Sequence, residues 1–211
     1  DSQASLTSYC GLEPRKLNAT IENALIDKVD PYIAKGWYGT DLIPANSNLA
    51  AIDSDLKQMG NWHYKLKEIL SALREQYDYI LIDCPPSLGP LSLMSLIAST
   101  HLIIPVKTNA KGLEGTEDLR ETITGVLSKA NRRLRVIGAI PTMFDGRTNH
   151  DRKSLARIRK EFGKLPVFPP IPEATDLDNA WDDRQPLAVF SKNHIVVQFF
   201  SDIANFLVRN E

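Results

Sequence analysis

Apolar positions along this chain alternate between two rhythms. Leu56, Met59, Leu66, Ile69, Leu70 and Leu73 recur at helical spacing and predict an amphipathic helix over about 55–76, with Gly60 and Asn61 placed to bend or split it. The short apolar run Ile80–Ile82 follows directly and predicts a strand over 79–83, of the kind that a parallel sheet covers on both faces. Pro90 sits well as the first residue of a helix reaching about Ser99. Further strands are predicted over His101–Val106 and Leu134–Ile140, with a brief one at Val167–Phe168. Between them, Leu113–Lys129 reads as a helix with Leu113, Leu119, Ile123, Val126 and Leu127 inward, and about 149–162 as another. Nearer the start, 18–26 forms a short helix on Leu17, Ile21, Leu25 and Ile26, and 41–46 a short strand leaving through a Pro-Asn loop. Asn193 caps a final helix whose Ile195, Phe199, Ile203, Phe206 and Leu207 face the core. Strands alternating with helices imply right-handed crossovers, hence an α/β, doubly wound, mostly parallel sheet.

The strand over 79–83 ends in the carboxylate of Asp83 and then in Pro85 and Pro86, which bar helix and hold the exit extended. In open α/β sheets, ligands bind outside the carboxyl ends of the strands. Four exits carry polar groups: Asp83, the run 107–109, Thr142–Asp145 and Pro170–Glu173. A hard dication such as Mg²⁺ keeps several waters and bridges one or two carboxylates to phosphates, a role that suits Asp83. No GxxxxGK[ST] or GxGxxG occurs in the 211 residues, so spacing alone supports a ligand-binding α/β domain and nothing finer.

Charge changes the picture little. Twenty-five basic and 26 acidic residues leave a net charge of -1, so any contact with nucleic acid has to come from a local patch. Cys10 and Cys84 stand far apart without a CxxC and read as reduced thiols of a cytosolic protein. No apolar stretch reaches the length of a membrane span. The length suits a single domain over 1–211.

Five blocks taken together resemble the ParA/MinD family of deviant Walker ATPases, nearest its ParA/Soj branch. They are Asp1-x-Gln3-Ala4-Ser5-Leu6-Thr7, the stretch Tyr77–Leu88, Ile104-Pro105-Val106, Leu113-Glu114-Gly115, and Thr142-Met143-Phe144-Asp145-Gly146-Arg147-Thr148. The resemblance spans nearly the whole chain and implies a P-loop NTPase-like sheet. In that family a deviant Walker A loop lies some way before the block that Asp1 would open, so the chain resembles a member without its first strand, phosphate loop and first helix. Such a sheet would leave apolar surface uncovered, and the helix N-terminus that holds phosphates would be missing.

The resemblance implies roles residue by residue. Asp1 would position the attacking water as the catalytic carboxylate. Asp83 would hold Mg²⁺, through water, and Pro85, Pro86 and Ser87 would form the switch that senses the γ-phosphate. Thr142, Met143, Pro170, Pro172 and Glu173 would line the base, and Glu114 would reach the nucleotide of a partner subunit. Three departures from the family pattern stand out. Ser2 replaces the usual Pro; Lys111 lies where an acidic-aromatic stretch is usual; and Asp176 falls near the place of an arginine that helps bind DNA. A lysine facing the partner's nucleotide would neutralise phosphate charge in trans, a usage similar to the carboxysome-positioning subgroup.

A basic run over 147–164 offers Arg147, Arg152, Lys153, Arg157 and Lys160 for DNA phosphates, and Lys129, Arg132, Arg133 and Arg135 make a second cluster. The last residues, Phe199–Glu211, carry one basic side chain against two acids, unlike the membrane-binding helix that ends the MinD branch. The resemblance therefore implies a cytoplasmic, nucleoid-associated ATPase. It would form a homodimer around ATP and Mg²⁺, bind DNA without sequence preference and release it when an adaptor stimulates hydrolysis, so moving a plasmid, chromosome or carboxysome. Two alternatives stay open: a degenerate module that binds DNA or a partner without hydrolysis, and a metabolic ATPase of the same superfamily.

Overall fold

A computed structural model of the chain describes residues 3–109 and 112–209. They pack as two compact units: the described residues up to Thr100 with Asp118–Leu134, and His101–Glu117 with the described residues from Arg135 on. Asp1, Ser2 and Lys111, which the sequence marks as a catalytic carboxylate, a departure and a phosphate-neutralising lysine, lie outside the described residues.

The first unit is largely helical. Helix α1 spans Ser5–Tyr9, and α2 spans Ile21–Ile26 behind a capping box in which the backbone N–H of Thr20 donates to Asn23 Oδ1 at 2.9 Å. The strand expected over 41–46 is shorter and belongs to an antiparallel hairpin, β1 (Ala34–Trp37) with β2 (Thr40–Leu42). The long helix expected over 55–76 divides into α3 (Asp53–Gln58) and α4 (Lys65–Ser71), joined by a 3₁₀ turn over Trp62–Tyr64. Asn61 causes the break by adopting φ 58°, a left-handed conformation that no helix interior accommodates. The apolar stripe survives the division, since Leu56, Leu66, Leu70 and Leu73 all enter one core with Leu25, Met94 and Ala98. Helix α5 (Pro90–Ala98) opens on its proline as expected and is buried along most of its length.

The segment over 79–83 is the main correction to the fold read from the sequence. It is extended but forms no β-ladder among the described residues, and Leu81, expected inside a covered strand, is 87% exposed. Ile80 and Ile82 still pack against the core, so one face is anchored and the other is open. An apolar cavity of about 650 Å³ runs along the segment, lined by Leu25, Ile43, Leu81 and Met94 among others.

The second unit contains the parallel sheet. Strands β3 (His101–Lys107) and β4 (Arg135–Thr142) pair in register from His101–Arg135 to Lys107–Thr142, with a bulge between Leu102 and Ile103. The other edge of β4 accepts a parallel bridge, Ala139 with Val167, and beyond its end Phe144 bridges Pro172, so the brief strand expected at 167–168 appears as a bridge. Gly138, at φ 154°, lies where Ala139 N–H donates to the Pro166 carbonyl at 2.9 Å, and a Cβ there would collide with that carbonyl. Helix α6 (Thr116–Lys129) begins three residues later than expected and leads into the first unit, where Asn131 Nδ2 donates to the Ser99 carbonyl at 2.7 Å. Helix α7 occupies Asn149–Phe162, as the periodicity predicts. Three helices were not foreseen: α1, and in this unit α8 (Thr175–Asp182) and α9 (Leu187–Phe190). Helix α10 (Ile195–Arg209) packs Ile203, with Phe199, Phe206 and Leu207, onto Ile137, Ile140 and Phe168. At its start Val196 is the buried residue, while Ile195, expected inward, is 61% exposed.

Candidate nucleotide site

The strand exits of the first unit and of the second are built differently. In the first, Asp83 stands exposed at the end of the extended segment, followed by Pro85, Pro86 and Ser87 in a bend that enters α5. Ser92, in the first turns of α5 and buried, directs its hydroxyl at the carbonyls of Ser87 and Pro85, the latter at 3.4 Å. One hydroxyl thus holds both ends of the predicted switch to the helix behind it. Nothing in the sequence marked Ser92, although a serine seven residues after the first proline of such a bend is within reach of it. No group of three or more His, Cys, Asp or Glu side chains suited to a metal occurs among the described residues. An accessible carboxylate such as Asp83 fits an ion that keeps most of its waters and takes its other ligands from phosphate.

In the second unit the structure brings together most of the residues expected to line a base. Ile171 N–H donates to the Pro141 carbonyl at 2.8 Å, Phe144 N–H to the Ile171 carbonyl at 3.1 Å, and Glu173 N–H to the Phe144 carbonyl at 3.4 Å. These bonds lay 170–173 alongside 141–144, so Thr142, Met143, Pro170, Pro172 and Glu173 share one rim. Met143 takes φ 55° and exposes 49% of its surface, a strained conformation of the sort that concentrates where a chain meets a ligand. Glu114 is exposed in the turn before α6, next to Gly115 at φ 78°. Gly112 N–H donates to the Asn109 carbonyl at 3.1 Å, and a Cβ on Gly112 would collide with the Lys107 carbonyl.

Thr108, directly after β3, is 1% exposed and was not singled out for itself in the sequence. Its N–H donates to the Thr142 carbonyl at 3.0 Å, and its hydroxyl lies 3.1 Å from that oxygen, 3.0 Å from the Met143 carbonyl and 3.3 Å from Asp151 Oδ2. Asp151 also accepts the Asp145 N–H at 2.8 Å, and this bond is the main reason its carboxyl titrates below the usual range.

The five basic residues predicted to meet DNA are all exposed. Helix α7 buries Ser154, Leu155 and Ile158, which leaves Arg152, Lys153, Arg157 and Lys160 on its solvent side. Arg147 differs from the rest because its guanidinium grips Asp145 through two bonds of 2.9 Å. That grip, with the Arg147 N–H, draws the pKa of Asp145 down to about 2. Arg152 curls over the start of its own helix, donating to the Gly146 carbonyl at 3.0 Å and to Asn149. Asp176, where an arginine was expected from the family pattern, lies 3.8 Å from His194 Nε2. No described helix is long and apolar enough to cross a membrane.

Comparison with known proteins agrees with this arrangement. A family model described as an AAA domain matches residues 1–136. The chain is 30% identical over 213 residues to the sporulation initiation inhibitor protein Soj of Bacillus subtilis, covering 100% of this chain and 84% of that protein. Among solved structures it resembles cobyrinic acid a,c-diamide synthase from Mycobacterium smegmatis with ADP and magnesium bound. That similarity is 32% identity at a TM-score of 0.78, over 88% of this chain and 82% of the other. The fold is also that of apo McdA from Cyanothece, with a TM-score of 0.88 over 98% of this chain and 84% of the other at 23% identity. The doubly wound α/β fold and the paired blocks around Asp83 and Thr142–Thr148 thus have one explanation: the chain belongs to the ParA/MinD family of deviant Walker ATPases.

Proposed function

We propose that this protein is a positioning ATPase of the ParA type, which closes as a homodimer around ATP and Mg²⁺ and then binds DNA without sequence preference. The observation that carries the reading is the exposed basic side of α7, with Arg152, Lys153, Arg157 and Lys160, starting directly after the rim formed by Thr142 and Met143. In this reading the base lies against Thr142, Met143, Pro170, Pro172 and Glu173, and Asp83 orients the waters of Mg²⁺. Pro85, Pro86 and Ser87 respond to the γ-phosphate, with Ser92 holding them in place. Asp1 positions the attacking water, while Lys111 and Glu114 act toward the partner subunit's nucleotide. Occupancy and dimerisation are coupled because a ligand buried between two subunits binds the dimer better than the monomer. An adaptor that stimulates hydrolysis would release the DNA and so move a cargo, of which a plasmid, a chromosome or a carboxysome are the kinds. The protein would then reside in the cytoplasm on the nucleoid.

The test is a gel shift on non-specific duplex with ATP, with ADP and without nucleotide, using the protein as the cell makes it. Retardation with ATP alone, weakened by added salt, is the expected result. Lys153→Gln and Arg157→Gln should each weaken binding on all duplexes and lower the slope of log affinity against log salt by about one. Binding that ignores nucleotide would instead point to a module without hydrolysis. A second reading, an ATP-dependent metabolic enzyme, is favoured by the 32% identity to cobyrinic acid a,c-diamide synthase. Failure to bind DNA under any condition would transfer support to it.

A further inference from the structure

Charge is distributed unevenly along the basic run. Residues 145–152 hold Arg147 and Arg152 against Asp145 and Asp151, whereas 153–160 hold Lys153, Arg157, Arg159 and Lys160 and no acid. Lys153, Arg157 and Lys160 recur at i, i+4 and i+7, which puts them on one stripe of the solvent side of α7. Before that stripe, the two bases are offset by the two acids, so the positive field belongs to the later turns of the helix.

The Arg147 side chain is 91% exposed and stands where a phosphate can reach it. Its charge is nevertheless spent locally. Nε and Nη2 donate to the two oxygens of Asp145, each at 2.9 Å, and so fill the fork that a guanidinium otherwise offers to phosphate. The Arg147 backbone N–H donates to Asp145 Oδ1 at 2.9 Å, and the Asp145 N–H donates to Asp151 Oδ2 at 2.8 Å, which pins this turn to α7. Glu173 acts on the same guanidinium as a second negative charge. A phosphate approaching Arg147 therefore meets a carboxylate on the very nitrogens it needs. It gains a cation only by displacing an anion, and such an exchange releases no counterion from the duplex. Exposed ion pairs are weakly held, so what excludes DNA is the second charge and not the strength of the bond.

We propose that Asp145 is a positioning residue that withholds the Arg147 guanidinium from DNA and so sets the affinity, leaving Lys153, Arg157 and Lys160 as the contact to phosphate. The proposal rests on the DNA binding proposed above, and the Lys153→Gln control separates the two. Affinity for a labelled non-specific duplex is measured with ATP over a range of salt, using the protein as the cell makes it. Wild type is compared with Arg147→Gln, Asp145→Asn, the variant with both changes, and Lys153→Gln. Asparagine keeps a side-chain oxygen for the Arg147 N–H, so the turn is preserved while the negative charge is lost.

Lys153→Gln should lower the slope of log affinity against log salt by about one, whereas Arg147→Gln should leave the slope unchanged and the affinity within about twofold. Asp145→Asn should raise affinity about three- to tenfold at low salt and steepen the slope by about one, since one more cation then faces phosphate. The variant with both changes should return to wild-type values, because the gain belongs to Arg147. Arg147→Gln losing as much as Lys153→Gln would overturn the proposal and leave the DNA-binding reading standing. A gain in Asp145→Asn that persists in the variant with both changes would overturn it too, since the acid would then act by repelling phosphate alone. A wild type that binds no duplex overturns the DNA-binding reading, and the proposal falls with it.

Discussion

Two exits of the same sequence grammar end in opposite conditions. Residues 79–87 and 135–145 each run from apolar residues into a polar exit, each with a proline at or near its end. In the second unit the strand is laddered by β3 on one side and bridged by 167 and 172 on the other, and Ile137–Pro141 are all buried. In the first, the segment is extended beside a cavity of about 650 Å³ and Leu81 is open. Composition does not separate them, since both carry the β-branched and apolar residues that strands favour. What separates them is a neighbour. Propensity for a strand is a fitness for a pleated, half-buried surface, and it turns into a strand only where another strand supplies donors and acceptors.

The comparison can be broken from its strong side first. Ile140→Ala removes a buried side chain packed against Phe168 and Ile203 and should cost about 2–5 kcal/mol by urea unfolding. A loss under 1 kcal/mol would mean that the β4 layer is not the rigid side of the pair.

An intermediate effect is expected at the bend that leads into α5. Ser92→Ala deletes a buried hydroxyl that holds the Ser87 and Pro85 carbonyls and should cost about 1 kcal/mol, with faster amide exchange over 87–89. Exchange unchanged from wild type would show that the prolines alone hold the bend.

A smaller effect, read as a titration, sharpens the polar end of the second exit. Asp145 ionises at about 2 because Arg147 grips its carboxylate, and Arg147→Ala should return it toward the ordinary carboxylate range in a carbon-detected titration. The sign follows from a depressed folded-state value: the contribution to stability is present above the unfolded carboxyl pKa and is lost as pH falls through about 2. The pair is exposed, so its contribution to stability at neutral pH should be slight.

The smallest change is expected on the open side. Leu81→Ala in this chain should alter stability by no more than about 0.5 kcal/mol, as for other exposed positions. A loss as large as that of Ile140→Ala would mean that the segment is covered in solution.

Helical periodicity was legible where the chain could satisfy it locally. Leu56, Leu66, Leu70 and Leu73 reach the core as their spacing predicts, even though Asn61 divides the helix that carries them. The start of α10 was misjudged by one residue, Val196 for Ile195, because the ends of a helix are set by what it packs against. The polar exits at Thr142, Met143 and Pro170–Glu173 were legible, and the structure lays them side by side, whereas Ser92, Thr108 and Asp151 were not. Serine, threonine and aspartate are common in turns and caps, and only their distances to particular carbonyls and amide groups distinguish these three.

The order of residues by itself determined the alternation of strands and helices, the family, the exits that carry polar groups and the basic run over 147–164. Each of these depends on the identity of side chains at short range along the chain. Tertiary structure alone decided that β4 is enclosed while 79–83 lies open, that Arg147 spends its charge on Asp145, and that one hydroxyl at Thr108 stands between the rim and α7. Those outcomes depend on which backbone lies within 3 or 4 Å of which other, and in β structure that proximity comes from residues far apart in sequence.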